Sequence, residues 1–450
     1  MTAGTLLALR LERARDASGA MRVLRGAIGV GEVVPVPEAG VLASVNLARL
    51  DVDRWLPLLE GAAGAAGAGA ARAGDAGMPD LLALRVRELV IAGKAMSNVV
   101  LGATRAADGH WDANIVSDHA TGALAWRPGV GTAPGRVSAR LARLTIPDAQ
   151  RNQVVELLDA PPVDIPALDV VVDAFELGSR KLGRLELVAQ NVASNGGNAW
   201  QMQKLEIANP EGRLTATGRW EREANAAPNA PRRMTLALSL DFGNAGALLG
   251  RLGIPDAVRG GSGKLEGELS WRGSPLSIDY PSLGGRLQLS AAKGQFLKAD
   301  AGAGRLLGVM SLQSLPRRIA LDFRDVFSEG FAFDQITATA ELKGGVLVTR
   351  DFKMRGVSAT VLIEGSTDLL NETQNLHVLV LPEIDARSAS LVYALMANPA
   401  VGLGTFLAQM LLRDPLSKAF SYEYEVSGSW TDPQVKRRER AAPDAAEARK

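Results

Sequence analysis

Apolar residues recur at every second position through most of this chain. Met234, Leu236, Leu238 and Leu240 alternate with Thr235, Ala237, Ser239 and Asp241. Ile336, Ala338, Ala340 and Leu342 alternate with Thr337, Thr339 and Glu341, and Leu185 and Leu187 flank Glu186. A strand sends successive side chains to opposite faces, so this period produces one apolar and one polar face. The pattern dominates from Leu81 onward and leaves little room for a helical fold. Gly, Asn and Asp clusters such as Asp108-Gly109 and Asn195-Gly196-Gly197 separate the runs. Those residues supply hairpin turns, so antiparallel neighbours are the natural connection.

One strand type recurs and closes on Trp. It reads Gly122, Leu124, Trp126; Leu214, Ala216, Gly218, Trp220; Leu265, Gly267, Leu269, Trp271; and Tyr424, Val426, Gly428, Trp430. A larger unit surrounds it: Glu88–Trp126 and Phe175–Trp220 share an order of strands, turns and Trp positions, and Phe331–Gly365 is a looser copy. Internal repeats of a β-meander predict a sheet extended unit by unit.

The predicted organisation follows from these runs. Residues 1–60 form a partial β unit ending in a short capped helix, LDVDRWLPLLE. Residues 61–79 are a Gly/Ala low-complexity linker without aliphatic anchors. The repeating sheet occupies 80–384, with helical insertions near 245–258 and 303–312 that cap it. A helical hairpin is expected at 385–420, a final strand at 421–435 and a disordered, charged tail at 436–450.

Composition removes several functions. The 450 residues carry 50 Lys plus Arg against 49 Asp plus Glu, a net charge of +1, so no electrostatic footprint for nucleic acid exists. Without cysteine there is no thiol catalysis, Cys-based zinc site or disulfide. Leu6–Leu11 is interrupted by Arg10 and is too short for a signal peptide core or a membrane span. The chain is therefore either cytosolic or a piece whose targeting segment is missing.

No motif demands a cofactor or a metal. Gly302, Gly304 and Gly308 have the wrong spacing for a dinucleotide loop, and Gly261–Lys264 leads into a strand, not a helix. His110 and His119, even with Asp112 or Asp118, lack zinc-ligand spacing. The densest polar cluster is SLPRRIALDFRDVFSEGFAFD, ending at Asp334. It holds Arg317, Arg318, Asp322, Arg324, Asp325, Glu329 and Asp334. Paired carboxylates can do acid–base work, as in a glycosidase, but arginines beside them hold them ionised. An ion-pair network, or binding through Arg317 and Arg318, fits better.

Ser388–Leu412 is 25 residues without a charge, broken by Asn398-Pro399. Proline suits the first turn of a new helix, so two short helices are expected. Thirteen helical residues rise about 20 Å, short of a roughly 30 Å hydrocarbon core. Leu403, Phe406, Leu407, Met410 and Leu411 share one face of the second helix; Leu391, Val392, Leu395 and Met396 share one on the first. The residues alone leave two readings open: a hairpin capping the sheet, or one dipping into lipid.

From Leu240 to Pro433 the chain resembles the carboxy-terminal region of the YhdP-type branch of AsmA-like proteins of Gram-negative bacteria. The motifs that carry this are LLGRLGIPDAVRGGSGKLEGELSWRGSP (248–275), the segment 302–334, RGVSATVLIEG (355–365) and YEVSGSWTDP (424–433). The DVDRW helix at 51–55 fits as well. The resemblance implies a mainly β fold: an elongated, twisted antiparallel β-meander forming an open apolar groove, with short helices and a carboxy-terminal helical hairpin. It implies a non-enzymatic envelope protein that moves phospholipid between inner and outer membranes, with a structural or assembly role in outer-membrane biogenesis as the alternative. It also implies a periplasmic location, inner-membrane anchoring, envelope protein partners, and a hairpin near the outer membrane. Family members are longer and begin with the anchor, so the chain looks like a carboxy-terminal piece.

Overall fold

The structure is a computed structural model. It describes residues 2–3, 7–15, 21–54, 79–91, 94–129, 134–147, 166–194, 197–222, 230–275, 278–297, 330–357, 359–382 and 422–438. The chain divides into two units. The first comprises Met1–Asn209, Thr217–Arg232 and Ser274–Ser277; the second comprises Pro210–Ala216, Arg233–Gly273 and Ile278–Lys450.

The first unit contains strands β1 (Thr2–Ala3), β2 (Leu7–Arg15), β3 (Met21–Val30), β4 (Gly40–Asp51), β5 (Leu81–Ile91), β6 (Lys94–Arg105), β7 (Trp111–Val116), β8 (Ala120–Arg127), β9 (Arg136–Ile146), β10 (Ala167–Leu177), β11 (Arg180–Ser194) and β12 (Gly197–Asn209). Each pairs with its neighbour in sequence. Strand β13 (Gly212–Glu221) begins within the second unit and ends within the first.

The sheet is not wholly antiparallel, which corrects the expected meander. Strands β3 and β4, β4 and β5, and β9 and β10 pair in parallel. Parallel neighbours need a returning connection where a hairpin needs only a turn. Residues 52–80 and 147–166 lie between β4 and β5 and between β9 and β10. Between β3 and β4, residues 31–39 bring the chain from Val30 back to Gly40, which stands opposite Arg25. That return covers five residues of strand, about 17 Å, within reach of nine extended residues at up to about 30 Å.

The second unit contains β14 (Arg233–Phe242), helix α1 (Ala245–Arg251), β15 (Val258–Arg272), β16 (Gly284–Phe296), β17 (Phe331–Lys343), β18 (Val346–Gly356), β19 (Ala359–Asp368), β20 (Thr373–Pro382), β21 (Tyr422–Ser429) and β22 (Pro433–Arg437). From β14 to β22 each strand pairs antiparallel with the next. The chain near 421–435, expected as one strand, is a hairpin of two, turning at Trp430–Asp432 where Trp430 N–H donates to the Glu372 carbonyl.

Helix α1 is short because its signals are close together. The Asn244 side chain caps it by accepting from the Ala247 N–H at 3.0 Å, and Pro255 lies just beyond its end. Leu248 is buried. The Arg251 guanidinium holds both carboxylate oxygens of Glu211 at 2.7 Å, tying the helix to the turn before β13. Those bonds push the Glu211 pKa down and the Arg251 pKa up.

Register turns alternation into ladders. In the first unit Val45, Leu84, Leu101, Ile115, Gly122, Leu141, Val172, Leu185 and Ile207 stand opposite one another in succession, strand by strand from β4 to β12. Val172 is fully buried, and Leu84, Ile115, Leu141 and Leu185 are buried with it in one cluster. Removing a side chain of this size from water stabilises a fold by about 1.5–3 kcal/mol. Arg184, Glu186, Lys204 and Glu206 form an ion-paired patch on the opposite face. Hydrogen bonds from Lys204 and then Arg184 hold the Glu186 carboxyl below the usual range.

Candidate functional site

The second unit carries the same two-faced logic with a difference along the sheet. One ladder runs Leu238, Gly267, Leu287, Ala340, Thr349, Gly365, Leu376, Val426, Val435 across β14 to β22. A second runs Gly263, Ala291, Ile336, Met354, Val361, Val380, Tyr422. Both lie on one apolar face.

Burial splits this face. Over β18 to β21 it is closed: Met354, Val361, Val378, Val380, Tyr424 and Val426 form one buried cluster. Over β14 to β16 it is half open: Leu236, Leu238, Leu240, Leu265, Leu269, Leu287 and Leu289 are each only half-buried. These seven leucines on three adjacent strands, bordered by the buried Met234 and Trp271, make a partly open apolar strip, and exposed apolar surface of this kind marks binding sites. Among the described residues, helix α1 packs against β15 in this part of the sheet.

The opposite face is polar and internally paired. Lys264 pairs with Glu266, and Arg286 reaches Glu341 at 2.6 Å. A depression here is lined by Lys264, Glu266, Gln288, Thr337, Asp351 and Lys353. Asp351 accepts from both the backbone N–H and the hydroxyl of Thr339 at 2.8 Å. Lys353 is 3% exposed, and burial pushes its pKa down while Asp351 pulls the other way. The unit therefore offers acyl-like chemistry on one side and solvated ion pairs on the other.

One backbone position shapes the apolar face. Gly365 has φ +142, and a Cβ there would sit 2.2 Å from the Asn375 carbonyl oxygen. Only glycine lets β19 and β20 approach this closely at the centre of the apolar ladder.

The sequence-level candidates distribute unevenly. Asp334 lies exposed on β17. Arg317, Arg318, Asp322, Arg324 and Asp325 lie outside the described residues. So do all the hairpin positions: Leu391, Val392, Leu395, Met396, Leu403, Phe406, Leu407, Met410 and Leu411. The two histidines weighed as metal ligands have separate partners. His110 is held by Asp108 and Asp112, while His119 Nδ1 accepts from the Ser97 N–H at 3.4 Å. No cluster of metal-ligating side chains occurs among the described residues. The half-open leucine strip was missed as a site, although its alternation was visible. Nothing in a single strand says which of its neighbours leaves the face uncovered.

Each unit is mainly β, with one apolar and one ion-paired face. The chain belongs to the YhdP protein family, whose model matches residues 1–435. It is similar to "Intermembrane phospholipid transporter YhdP" of Escherichia coli (strain K12), with 34% identity over 224 residues. The match covers 50% of this chain but 17% of that protein. No solved structure matches the chain.

Proposed function

We propose that this chain carries phospholipid acyl chains on its apolar sheet face, as a non-enzymatic part of a transporter between the two envelope membranes. The half-open leucine strip over β14–β16 carries the reading. Acyl chains laid there lose contact with water, at a gain of about 0.8 kcal/mol per buried CH₂. Equivalent leucine contacts on successive strands let a chain move without a deep well at any one position. Head groups stay towards water, and no catalytic residue is needed. The family and the transporter relative support the same cargo.

The uncharged stretch Ser388–Leu412 enters from its sequence alone. We take its two apolar faces, at Leu391–Met396 and Leu403–Leu411, as the contact with the receiving outer membrane. The envelope location, on the periplasmic side, and envelope protein partners belong to the same proposal. Arg317, Arg318, Asp322, Arg324, Asp325 and Asp334 remain in it as a structural or binding network.

Strand alternation supplies the test. Leu287 and Gln288 are neighbours on opposite faces of β16. Each is replaced in turn by photoreactive benzoylphenylalanine, and the protein is irradiated in cells. Mass spectrometry should find phospholipid attached at 287 and not at 288. Equal labelling at both positions, or protein adducts alone at 287, would reject lipid carriage on this face.

A further inference from the structure

At one end of the first unit, strands β8 and β9 set like charges face to face. Arg127 is the last residue of β8, Arg136 is the first of β9, and the two stand directly opposite each other. Like charges directly opposite on antiparallel strands destabilise the pairing. Both arginines are exposed, and neither side chain has an ion-pair or hydrogen-bond partner among the described residues. Nearby arginines do meet carboxylates: Arg140 binds Asp169 at 2.9 Å and Arg184 binds Asp173 at 2.7 Å. The carboxylates of the adjoining β6–β7 hairpin, Asp108 and Asp112, are both taken by His110.

The same strand ends carry a pair of tryptophans. Trp126, next to Arg127, stands opposite Trp111 on β7 and opposite Val137 on β9. By alternation this row lies on the apolar face, four residues along from Ile115, Gly122 and Leu141. Trp126 is 40% exposed and Trp111 is half-buried. Gly135 makes room for the exposed ring, since a Cβ there would come within 2.4 Å of Trp126 Cη2. The next row inward, Ala113 and Leu124, is half-buried, so hydrocarbon laid against the tryptophans continues onto apolar surface. The arginines leave from the other face. At the last residue of a strand, however, a group seated on the rim is within reach of side chains from both faces.

We propose that this rim is a head-group site, in which Arg127 and Arg136 together hold the phosphate of a phospholipid whose glycerol and first methylenes lie against Trp111 and Trp126. This rests on the lipid-carrying reading above. A phosphate offers separate oxygens to the two guanidinium groups, and its charge cancels the repulsion that the free pair suffers. Tryptophan suits the layer just beneath, where hydrocarbon gives way to water. An acidic peptide would satisfy the arginines and leave the indoles in water, whereas a phospholipid satisfies both.

The test mixes the full chain with phosphatidylglycerol or with diacylglycerol of identical acyl chains, each presented in the same non-ionic detergent. Lipid retained after gel filtration is quantified by mass spectrometry. Wild type should retain phosphatidylglycerol roughly tenfold better, the size of one charge-assisted hydrogen bond. Arg127→Gln with Arg136→Gln should abolish that preference, leave diacylglycerol retention unchanged and cost no thermal stability. Arg85→Gln with Arg87→Gln, the same loss of charge on β5, should keep the preference. Trp126→Ala should lower retention of both lipids alike, and inorganic phosphate should not displace the bound lipid. The head-group site is overturned, and the lipid-carrying reading spared, by any of four results. These are equal retention of the two lipids by wild type, a preference that survives the double substitution or falls as far in the β5 control, diacylglycerol retention untouched by Trp126→Ala, or displacement by inorganic phosphate. Retention of neither lipid by wild type overturns both.

Discussion

Replacing Gly365 by alanine should be among the most damaging single-methyl changes in the second unit. Two costs add. At φ +142 a residue with a Cβ is strained by about 1–3 kcal/mol. The added carbon would lie 2.2 Å from the Asn375 carbonyl oxygen and 2.8 Å from the Leu376 Cα. Both are backbone atoms of the partner strand, so no rotamer change relieves the clash, and β19 and β20 must separate at another roughly 1–3 kcal/mol. The sum, about 2–6 kcal/mol, is a large part of a typical domain stability of about 5–15 kcal/mol. The assay is urea unfolding combined with hydrogen exchange read by mass spectrometry, because two units need not unfold together. Peptides from 359–368 and 373–382 should lose protection first. Gly102→Ala is the control: nothing lies within 4 Å of its added Cβ and its φ is unexceptional. That change should be neutral or stabilise by up to about 1 kcal/mol through the unfolded chain. A loss below about 1 kcal/mol for Gly365→Ala, or equal effects at the two sites, would refute this account of the face.

Two further outcomes test other parts of the chain. Arg251→Ala should loosen helix α1 at a cost of roughly 1 kcal/mol, the pair being partly solvated, with faster hydrogen exchange at 245–251. Because Arg251 hydrogen bonds lower the Glu211 pKa in the folded state, that stability is present above the ordinary carboxylate pKa. It is lost as pH falls through the depressed value, so wild type and variant should converge in acid. In a vesicle flotation assay, Leu407→Asp with Met410→Asp should abolish membrane association if 388–412 meets lipid. Unchanged flotation would leave that stretch with a role inside the protein.

Strand identity was legible because alternation is a local property. Met234 to Leu240 and Ile336 to Leu342 are strands β14 and β17, with their apolar residues on one face. The Trp-closed strands were legible for the same reason, but their tryptophans meet different surroundings: Trp220 and Trp271 are buried, while Trp126 is exposed. The parallel pairings of β3, β4 and β5 were not. A strand's own residues do not name its partner, and the direction of pairing depends on how far the connection returns along the sheet. The two-stranded end at β21 and β22 was read as one strand because Trp430-Thr431-Asp432 is too short a turn to interrupt the pattern visibly.

The sequence by itself determined that this chain alternates into strands with one apolar and one polar face, and its motifs placed it in its family. Only the tertiary structure decided which parts of the hydrocarbon face are open. Leu287 and Val361 are equally apolar in sequence, yet one is half-buried and the other has no exposed surface. It also decided that Gln374 faces hydrocarbon, where composition would place a glutamine in water. Register is the physical reason. A strand's period of two assigns each side chain a face, but cross-strand pairing sets what that side chain meets, and pairing joins residues far apart in the chain.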